Sequence, residues 1–188
     1  MKTKIITICA LFFVLGNTVT AQEKTRIVSE KYGNTLNLGL GIGYYGYAGG
    51  SMPVLHADYE LNVAHNFTLA PFISFFSYRN DYYSNNNNMN NYYHQTVIPV
   101  GVKGSYYFDE LLKANSKWDF YLACSLGFAI INTNWDNGYN GNRNGFQGAS
   151  PLFLDFHIGT EYHFNSKIGA FLDLSTGVST IGLAIHTF

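Results

Sequence analysis

Ionisable side chains stand at even spacings in two stretches of the chain, and even spacing places residues on one face of a β-strand. Six residues follow this pattern: His56, Asp58, Glu60, Asp155, His157 and Glu161. Carboxylates and imidazoles that share a buried site can act as general acids and bases or pass protons to one another. These two strand faces are therefore the first candidates for chemistry.

Lys103 and Asp173 are predicted to lie at the same depth as Asp58 and His157, because they are at similar distances from the predicted turns. Glu60 and Glu161 fall one layer below. Since unpaired buried charge is costly, Lys103 and the histidines are expected to compensate the carboxylates. The eight residues thus predict a buried polar network, with a proton relay or a catalytic acid and base as the alternative.

Ser125 lies in the segment Ala-Cys-Ser-Leu-Gly, residues 123–127, which loosely resembles the nucleophile motif of hydrolases. That motif works on a turn between a strand and a helix, whereas this segment lies within a predicted strand. A hydrolase would also need a histidine and a carboxylate next to the serine. We interpret Ser125 as a small inward-facing residue and predict that the protein is not an enzyme.

No metal or cofactor site is predicted. His157 and His163 share a face but lie about 20 Å apart along an extended strand, too far to bind one ion. Residues 136–141, Asp-Asn-Gly-Tyr-Asn-Gly, partly match a calcium loop but offer one carboxylate and no downstream glutamate. An ordinary Asn-Gly turn is the better interpretation of this segment.

The elements that must position these residues are strands, because apolar residues alternate with small or polar ones in eight stretches. In the clearest one, Leu36, Leu38, Leu40 and Ile42 interleave with asparagine and glycine. A sheet that spans a membrane must close on itself, since hydrocarbon cannot bond an open backbone edge. The fold class predicted is an all-β, eight-stranded, antiparallel up-and-down transmembrane β-barrel. Its strands are placed at 34–47, 55–62, 67–78, 93–108, from 118 onward, 152–163, 168–175 and 180–188.

The connections between these strands are of two kinds. Those after strands two, four and six are short, with one helical turn at 110–113, whereas 79–92 and 132–150 are long and rich in asparagine. Barrels of this type keep short turns on the periplasmic side and long loops outside. Both termini are therefore expected to be periplasmic. Five aromatic residues of the outer loops are predicted to make extracellular contacts: Tyr82, Tyr83, Tyr92, Trp135 and Tyr139.

Aromatic residues sort by predicted depth into two belts, which is typical of membrane interfaces. The belt at the periplasmic side comprises Tyr59, Phe67, Tyr106, Phe108, Trp118, Phe120, Tyr162, Phe164 and Phe188. The outer belt comprises Tyr44, Phe75, Tyr78, Tyr93 and Phe128. Charged residues are only 12% of the chain, about half the usual share of a soluble domain. The formal net charge of -1 and the lack of a basic run disfavour nucleic acid as a partner.

Two features fit the barrel poorly. Pro71 and Pro99 lie inside predicted strands and nearly opposite each other, and each removes a ladder donor. We therefore predict a bulge or a paired gap in the ladder between them. In the last strand, Phe188 has the opposite parity to Ile181 and Leu183, which predicts a twist or a break in register near the end.

The N-terminus has the features of a cleavable export signal. Lys2 and Lys4 precede an apolar run from Ile5 to Leu15, and Ala21 is the expected cleavage point. The domain prediction is therefore a signal peptide at 1–21, a periplasmic lead-in at 22–33 and a barrel at 34–188. Removal of the signal leaves Cys124 as the single cysteine, so no intramolecular disulfide is expected.

Four features of the chain together form a known pattern. They are the export signal, the opening strand from Leu36 to Tyr47, the segment Gly-Val-Lys-Gly-Ser-Tyr-Tyr-Phe at 101–108 and the terminal Phe188. The chain resembles the small eight-stranded outer-membrane barrels related to OmpX and the OmpA transmembrane domain, across 22–188. The resemblance implies that Phe188 serves as a signal to the barrel-assembly machinery. His186 and Gly182 depart from the usual form of that signal. Because that family shares a fold and little chemistry, the resemblance names no activity.

The function predicted is a monomeric scaffold in the outer membrane of a Gram-negative cell, without an open pore, since an eight-stranded lumen only holds its own side chains. Outer-membrane lipids surround it, and its loops would contact an extracellular protein or glycan. One alternative is a lipid-modifying enzyme, an acyl hydrolase or transferase, built around Ser125 or the inward histidines. The other is a soluble lipocalin-like carrier, which requires an apolar lumen and a polar exterior.

Overall fold

A computed structural model describes residues 34–43, 52–83, 90–112, 114, 116–135 and 151–187. Within these ranges, eight antiparallel strands pair in chain order and close into a barrel through the pairing of the first strand with the last. A short helix joins the fourth and fifth strands. No helix in the described ranges has the length and apolar composition to cross a membrane. The elements are β1 (Asn34–Gly43), β2 (Met52–Ala64), β3 (Phe67–Tyr83), β4 (Asn90–Tyr107), α1 (Asp109–Leu112), β5 (Trp118–Trp135), β6 (Leu152–His163), β7 (Ile168–Ser175) and β8 (Val178–Thr187).

The outer wall of the barrel is apolar and the lumen is polar. On β6, Leu154, Phe156 and Ile158 are 54%, 58% and 55% exposed, whereas Asp155 between them is fully buried. The same alternation holds on β5, where Leu122 and Leu126 face out and Ser125 faces in. Because side chains on a strand alternate in direction, one pattern of period two sets both surfaces. The predicted fold class of a closed eight-stranded antiparallel barrel is confirmed.

The lumen is filled in layers. An apolar cluster occupies the end that carries the longer connections, and the aromatic rings of Phe72 and Phe153 meet there with centroids 5.4 Å apart. Most buried polar side chains fill the middle and the end with the short turns, whereas Gln95 and Asp155 lie toward the other end. The members of the apolar cluster are Met52, Val54, Phe72, Phe76, Val97, Ala129, Phe153 and Val178.

The turn between β2 and β3 is tight because Asn66 adopts a left-handed backbone conformation, with φ at 57°. Asparagine tolerates this region better than other residues with a β-carbon. The β2–β3 register shifts by one residue between Asn62 and Ala64, just before this turn. The bulge in this hairpin therefore belongs to its turn and not to a proline.

Each proline leaves a gap in a different ladder. The β2–β3 pairing has a gap at Pro71, between the pairs Asp58–Phe72 and Leu61–Leu69. The β3–β4 pairing has a gap at Pro99, between the pairs Ile73–Val100 and Phe76–Val97. The register is the same on both sides of each gap. The predicted loss of ladder pairing is confirmed, but the expectation that the two gaps face each other is wrong, because Pro71 pairs with Val102 and Pro99 with Ala129.

The last strand keeps its register to the end of the described residues. β8 pairs with β1 without a break from Val178–Gly43 to Thr187–Asn34. The predicted break in register is therefore wrong as far as Thr187, and Phe188 lies outside the described residues. As a consequence His186 faces the lumen and is 6% exposed.

The hairpin of β3 and β4 is longer than the sequence predicted. Pairing continues through Arg79–His94 to Tyr83–Asn90, so most of the predicted loop at 79–92 is strand. Likewise β5 continues to Trp135, four residues into the predicted loop at 132–150. Asparagine-rich composition predicted loops here, but pairing with a neighbouring strand overrides local propensity. The predicted helical turn near Glu110 is confirmed as α1.

Candidate functional site

Lys103 is the centre of the buried polar network. It lies on β4 and is 2% exposed, and its Nζ is 3.0 Å from Asp58 Oδ2, 3.8 Å from Glu60 Oε1 and 3.9 Å from Asp173 Oδ2. These carboxylates come from β2 and from β7 across the lumen. One ammonium thus faces three carboxylates in a space without bulk water, where attraction between opposite charges is strong.

Asp58 has further partners on its own side of the lumen. His56 Nε2 lies 2.9 Å from Asp58 Oδ2, and Asn37 donates its amide to Asp58 Oδ1 at 2.9 Å. His56 Nδ1 in turn lies 2.7 Å from Ser74 Oγ. Both oxygens of Asp58 are therefore held by β1, β2 and β4, which fixes the rotamers of a group that is 2% exposed.

Glu60 lies on the side of Lys103 nearer the short turns. Tyr107 donates its hydroxyl to Glu60 Oε2 at 2.6 Å, and Thr68 donates to the same oxygen at 3.3 Å. Asn37 also reaches Glu60 Oε1 at 3.3 Å. The amide of Asn37 therefore links the two carboxylates of β2.

On the opposite wall, Ser125, His157 and Asp173 form a hydrogen-bonded series. Ser125 Oγ is 2.8 Å from His157 Nε2, and His157 Nδ1 is 2.7 Å from Asp173 Oδ1. Tyr121 donates to Asp173 Oδ2 at 2.9 Å. This is the connectivity of a serine hydrolase triad, in which the imidazole lies between the hydroxyl and the carboxylate.

The surroundings of Ser125 are closed. Ser125 is 2% exposed, and the apolar cluster covers the lumen at the longer-connection end. A groove of about 460 Å³ does lie on the outer wall, but its lining comes from β1, β2 and β3, for example Leu40, Leu55 and Phe75. The series Ser125–His157–Asp173 belongs to β5, β6 and β7, and this groove does not reach it.

Asp155 has a role that the sequence did not indicate, since it holds the turn between β7 and β8. Its carboxylate accepts hydrogen bonds from Ser175 Oγ at 2.8 Å, Thr176 Oγ1 at 2.7 Å, Gly177 N at 2.7 Å and Val178 N at 2.9 Å. His157 Nε2 is 3.8 Å away. The carboxylate thus satisfies two backbone donors of a turn that packs into the barrel mouth.

Glu161 belongs to a separate group at the short-turn end. Its Oε1 lies 2.9 Å from His186 Nε2 and 3.3 Å from His163 Nδ1. Of the eight residues grouped by the sequence analysis, the structure brings His56, Asp58, Glu60, Lys103, His157 and Asp173 into one connected network. Asp155 and Glu161 are directed mainly to other partners.

Sequence reasoning missed several members of these groups. The sequence pattern indicates His186 only as part of an assembly signal, and it gives Asn37, Tyr107 and Tyr121 no role beyond their strand positions. Parity alone places each of them inward. Tyr107 and Tyr121 share strand faces with Lys103 and Ser125, whereas Asn37 and His186 alternate with outward leucine and isoleucine residues. Which inward residues meet across the lumen depends on the stagger of the closed barrel, and period two does not contain that information.

The predicted contact residues lie at the longer-connection end. The backbones of Tyr82 and Tyr83 belong to β3, that of Tyr92 to β4 and that of Trp135 to the end of β5. Their assignment to loops is wrong for these four, because the strands extend. Tyr139 and Phe188 lie outside the described residues.

No family model matches the sequence, and no curated protein matches it. Among solved structures, a de novo designed transmembrane β-barrel is 10% identical with a TM-score of 0.48, covering 85% of this chain and 100% of that one. Ail, the attachment invasion locus protein of Yersinia pestis, solved with the heparin analogue sucrose octasulfate, is 6% identical with a TM-score of 0.47, covering 82% and 96%. Neisserial surface protein A is 15% identical with a TM-score of 0.45, covering 82% and 96%. Sequence identities and TM-scores this low do not support an inference about activity or partners, which therefore has to come from the residues of this chain.

Proposed function

We propose that the protein is an outer-membrane β-barrel that forms a rigid, non-conducting scaffold and presents its longer connections to the outside of the cell. The observation that carries the proposal is the orientation of side chains on the barrel wall. Large apolar residues face outward and charged residues face the lumen, the reverse of a soluble barrel. Leu40, Phe128 and Leu152 are 63%, 61% and 64% exposed, and in water these apolar side chains would contact solvent. A bilayer removes this cost, because acyl chains surround the same surface.

The soluble carrier predicts the reverse arrangement. A lipocalin-like barrel needs an apolar lumen for its ligand and a polar exterior for solubility, whereas Lys103, Asp58 and Asp155 are each at most 2% exposed inside this barrel. The burial pattern therefore contradicts this alternative. Exposed apolar area that covers a whole wall also exceeds what a soluble protein tolerates.

Aromatic packing at the short-turn end supports the placement in a bilayer. Trp118 contacts Phe120 and Tyr162 with ring centroids 6.2 and 4.8 Å apart, and Tyr162 meets Phe164 at 5.6 Å. Amphipathic rings gather where headgroups meet hydrocarbon. We assign this belt to the periplasmic interface, which makes both chain ends periplasmic in accord with the export signal predicted at 1–21.

The concrete function proposed is surface contact with an extracellular protein or glycan. The ends of the β3–β4 hairpin and of β5 carry Tyr82, Tyr83, Tyr92 and Trp135, and tyrosine and tryptophan supply large contact area with little loss of side-chain entropy. Tyr139 belongs to the same predicted surface. The assembly machinery is the proposed partner on the periplasmic side, through the C-terminal strand and Phe188.

Two experiments test this proposal in order. Membrane fractionation and gel mobility with and without heating should find the protein in the outer membrane as a heat-modifiable band. Cells that express a triple variant, Tyr82→Ser with Tyr83→Ser and Tyr92→Ser, should then bind host cells or immobilised glycans less than wild type. Lys167→Ala at a short turn is the matched control, and binding that falls equally in both variants would contradict the assignment of the contact surface.

A second candidate function follows from Ser125, His157 and Asp173, whose order and distances match a hydrolase triad. We infer that, if a lipid ester reached Ser125, Ser125 Oγ would form a bond to the acyl carbon while His157 accepts the hydroxyl proton. The imidazolium, held by Asp173, would then give that proton to the alcohol oxygen that leaves the acyl group. Labelling with a serine-reactive phosphonate and lipid analysis of the outer membrane test this. Ser125→Ala should abolish labelling, whereas the matched variant Ser105→Ala, also buried in the lumen, should not. Absence of labelling and unchanged lipids would leave the series a structural network.

A further inference from the structure

Three side chains converge at the short-turn end of the lumen with one ligand atom each. Glu161 Oε1 lies 2.9 Å from His186 Nε2 and 3.3 Å from His163 Nδ1, and the two nitrogens are 3.3 Å apart. All three residues are buried, with exposures of 6%, 2% and 6% for Glu161, His163 and His186. The three atoms form a nearly equilateral triangle.

The size of this triangle fits a bound transition metal. A tetrahedral Zn²⁺ holds nitrogen and oxygen ligands at about 2.0 to 2.2 Å, which separates neighbouring ligands by about 3.3 to 3.6 Å. The observed edges are equal to that separation or a few tenths of an ångström shorter. The backbone therefore already places the side chains where an ion would need them.

The outer nitrogens of both histidines are engaged away from the triangle. His163 Nε2 lies 2.5 Å from Asp119 Oδ2, and because a carboxylate can only accept, Nε2 carries the proton. The other nitrogen of His163, Nδ1, then presents its lone pair to the triangle and accepts the 3.3 Å hydrogen bond from His186 Nε2. Binding of a metal ion would displace that proton from His186 Nε2. His186 Nδ1 lies 3.0 Å from Thr35 Oγ1. Metal-binding histidines usually have such outer partners, which fix ring orientation and tautomer.

Glu161 Oε1 is the least satisfied atom of the group. It is buried and makes no hydrogen bond within the described part of the chain, since the 2.9 Å approach of His186 Nε2 lacks hydrogen-bond alignment. A buried carboxylate oxygen in this state is costly. A β-carbon at Gly169 would meet Glu161 Oε1, so the glycine on β7 keeps the space that the carboxylate occupies.

We propose that Glu161, His163 and His186 bind one Zn²⁺ ion at the short-turn end of the barrel. Two imidazoles and one carboxylate select a transition metal over Ca²⁺ or Mg²⁺, which prefer oxygen ligands. Three protein ligands leave a fourth position for water. The side chain of Asp119 retains 14% exposure, so solvent reaches the outer partner of His163.

The ion would join parts of the wall that are not neighbours. Glu161 and His163 lie on β6 and His186 on β8, with β7 between them, while Asp119 and Thr35 add β5 and β1. The ion would therefore link β6 to β8 across β7, and the contact of Thr35 with His186 places it beside the β1–β8 pairing that closes the barrel. Zinc should therefore stabilise the folded barrel by an amount that rises with the logarithm of the free zinc concentration above the Kd.

The test uses the full mature chain without a histidine tag, folded into detergent and stripped with a chelator. Equilibrium dialysis against Zn²⁺ should give one ion per chain, and Co²⁺ should give the visible absorption of a tetrahedral site that Zn²⁺ then removes. Ca²⁺ and Mg²⁺ should not compete. Gel mobility without heating verifies that each sample is folded.

Variants separate this site from other binding. His186→Ala and Glu161→Gln should show no binding at the concentration that saturates wild type, and Thr35→Val should weaken binding by about 10-fold to 100-fold through His186. Two matched controls, His157→Ala in the other cluster and the exposed His65→Ala at the same end, should keep it. If a ligand variant does not fold, the Co²⁺ spectrum of Thr35→Val decides.

Absence of stoichiometric Zn²⁺ binding by the folded wild type would overturn the proposal, as would full affinity in His186→Ala or loss of binding in His65→Ala. The zinc-dependent rise in unfolding temperature should disappear with Glu161→Gln and persist with His157→Ala. These results are independent of the surface function, because the contact residues lie at the opposite end of the barrel.

Discussion

At the scale of single residues, the arrangement around Lys103 makes it the most sensitive charge in the lumen. Lys103→Met should lower the free energy of unfolding by about 3 to 5 kcal/mol, because Asp58, Glu60 and Asp173 would remain buried without their cation. Urea titration of the protein in lipid vesicles measures this. Lys167→Met, at an exposed turn, is the control and should change little. Equal effects of the two substitutions would show that Lys103 does not compensate the carboxylates.

The side chain of Tyr121 explains why residue 159 is a glycine. A β-carbon there would overlap the ring and hydroxyl of Tyr121, the residue that donates to Asp173. Gly159→Ala should cost about 1 to 3 kcal/mol of stability through overpacking. In the background of Tyr121→Ala the same substitution should cost much less, and a double-mutant cycle reports the difference. Additive costs would mean that the two residues do not compete for this space.

At the scale of elements, Asp155 should govern the β7–β8 turn. Asp155→Ala removes the acceptor of four hydrogen bonds, including those from Gly177 N and Val178 N. We expect faster amide hydrogen exchange at 176–178 and a loss of about 1 to 3 kcal/mol, because buried donors lose their acceptor. Exchange at the β6–β7 turn, residues 164–167, serves as the internal reference and should not change.

The outer face of β6 provides a depth test of the bilayer. Phe156→Arg, near the middle of the strand, should cost about 2 to 4 kcal/mol in vesicles, whereas Leu152→Arg at the strand end should cost about 0 to 1 kcal/mol. Both residues are more than half exposed on the wall, so packing within the protein is similar. Equal costs would mean that the wall does not cross a bilayer.

The sequence predicts which face of the sheet a side chain occupies, but it does not predict which side chains meet across the lumen. Period two assigned Leu154 to the wall and Asp155 to the lumen correctly, because alternation is a local property of a strand. It could not foresee that Asp155 serves a turn or that His186 meets His163, since those contacts depend on the register of non-adjacent strands. The extension of β3 to Tyr83 was also missed, because pairing with β4 outweighs an asparagine-rich composition.

At the scale of the whole molecule, the lumen should not conduct ions. The apolar cluster that includes Phe72, Phe76 and Phe153 covers the polar layers around Lys103. Planar bilayers containing the purified protein should therefore show no steady conductance, in accord with the narrow bore of eight strands. A porin inserted under the same conditions is the positive control, and stable unitary currents from this protein would contradict a filled lumen.

The joining of β1 to β8 has a consequence for how the protein is made. Every strand pairing except β1–β8 joins neighbours in sequence, so hairpins can form as soon as both arms are available, but the ring remains open until residues 178–187 arrive. A chain that lacks β8 keeps two unpaired sheet edges, and such edges can pair with other chains and cause aggregation. Loss of this one strand therefore costs more than one ladder, because it opens both edges of the sheet at the same time.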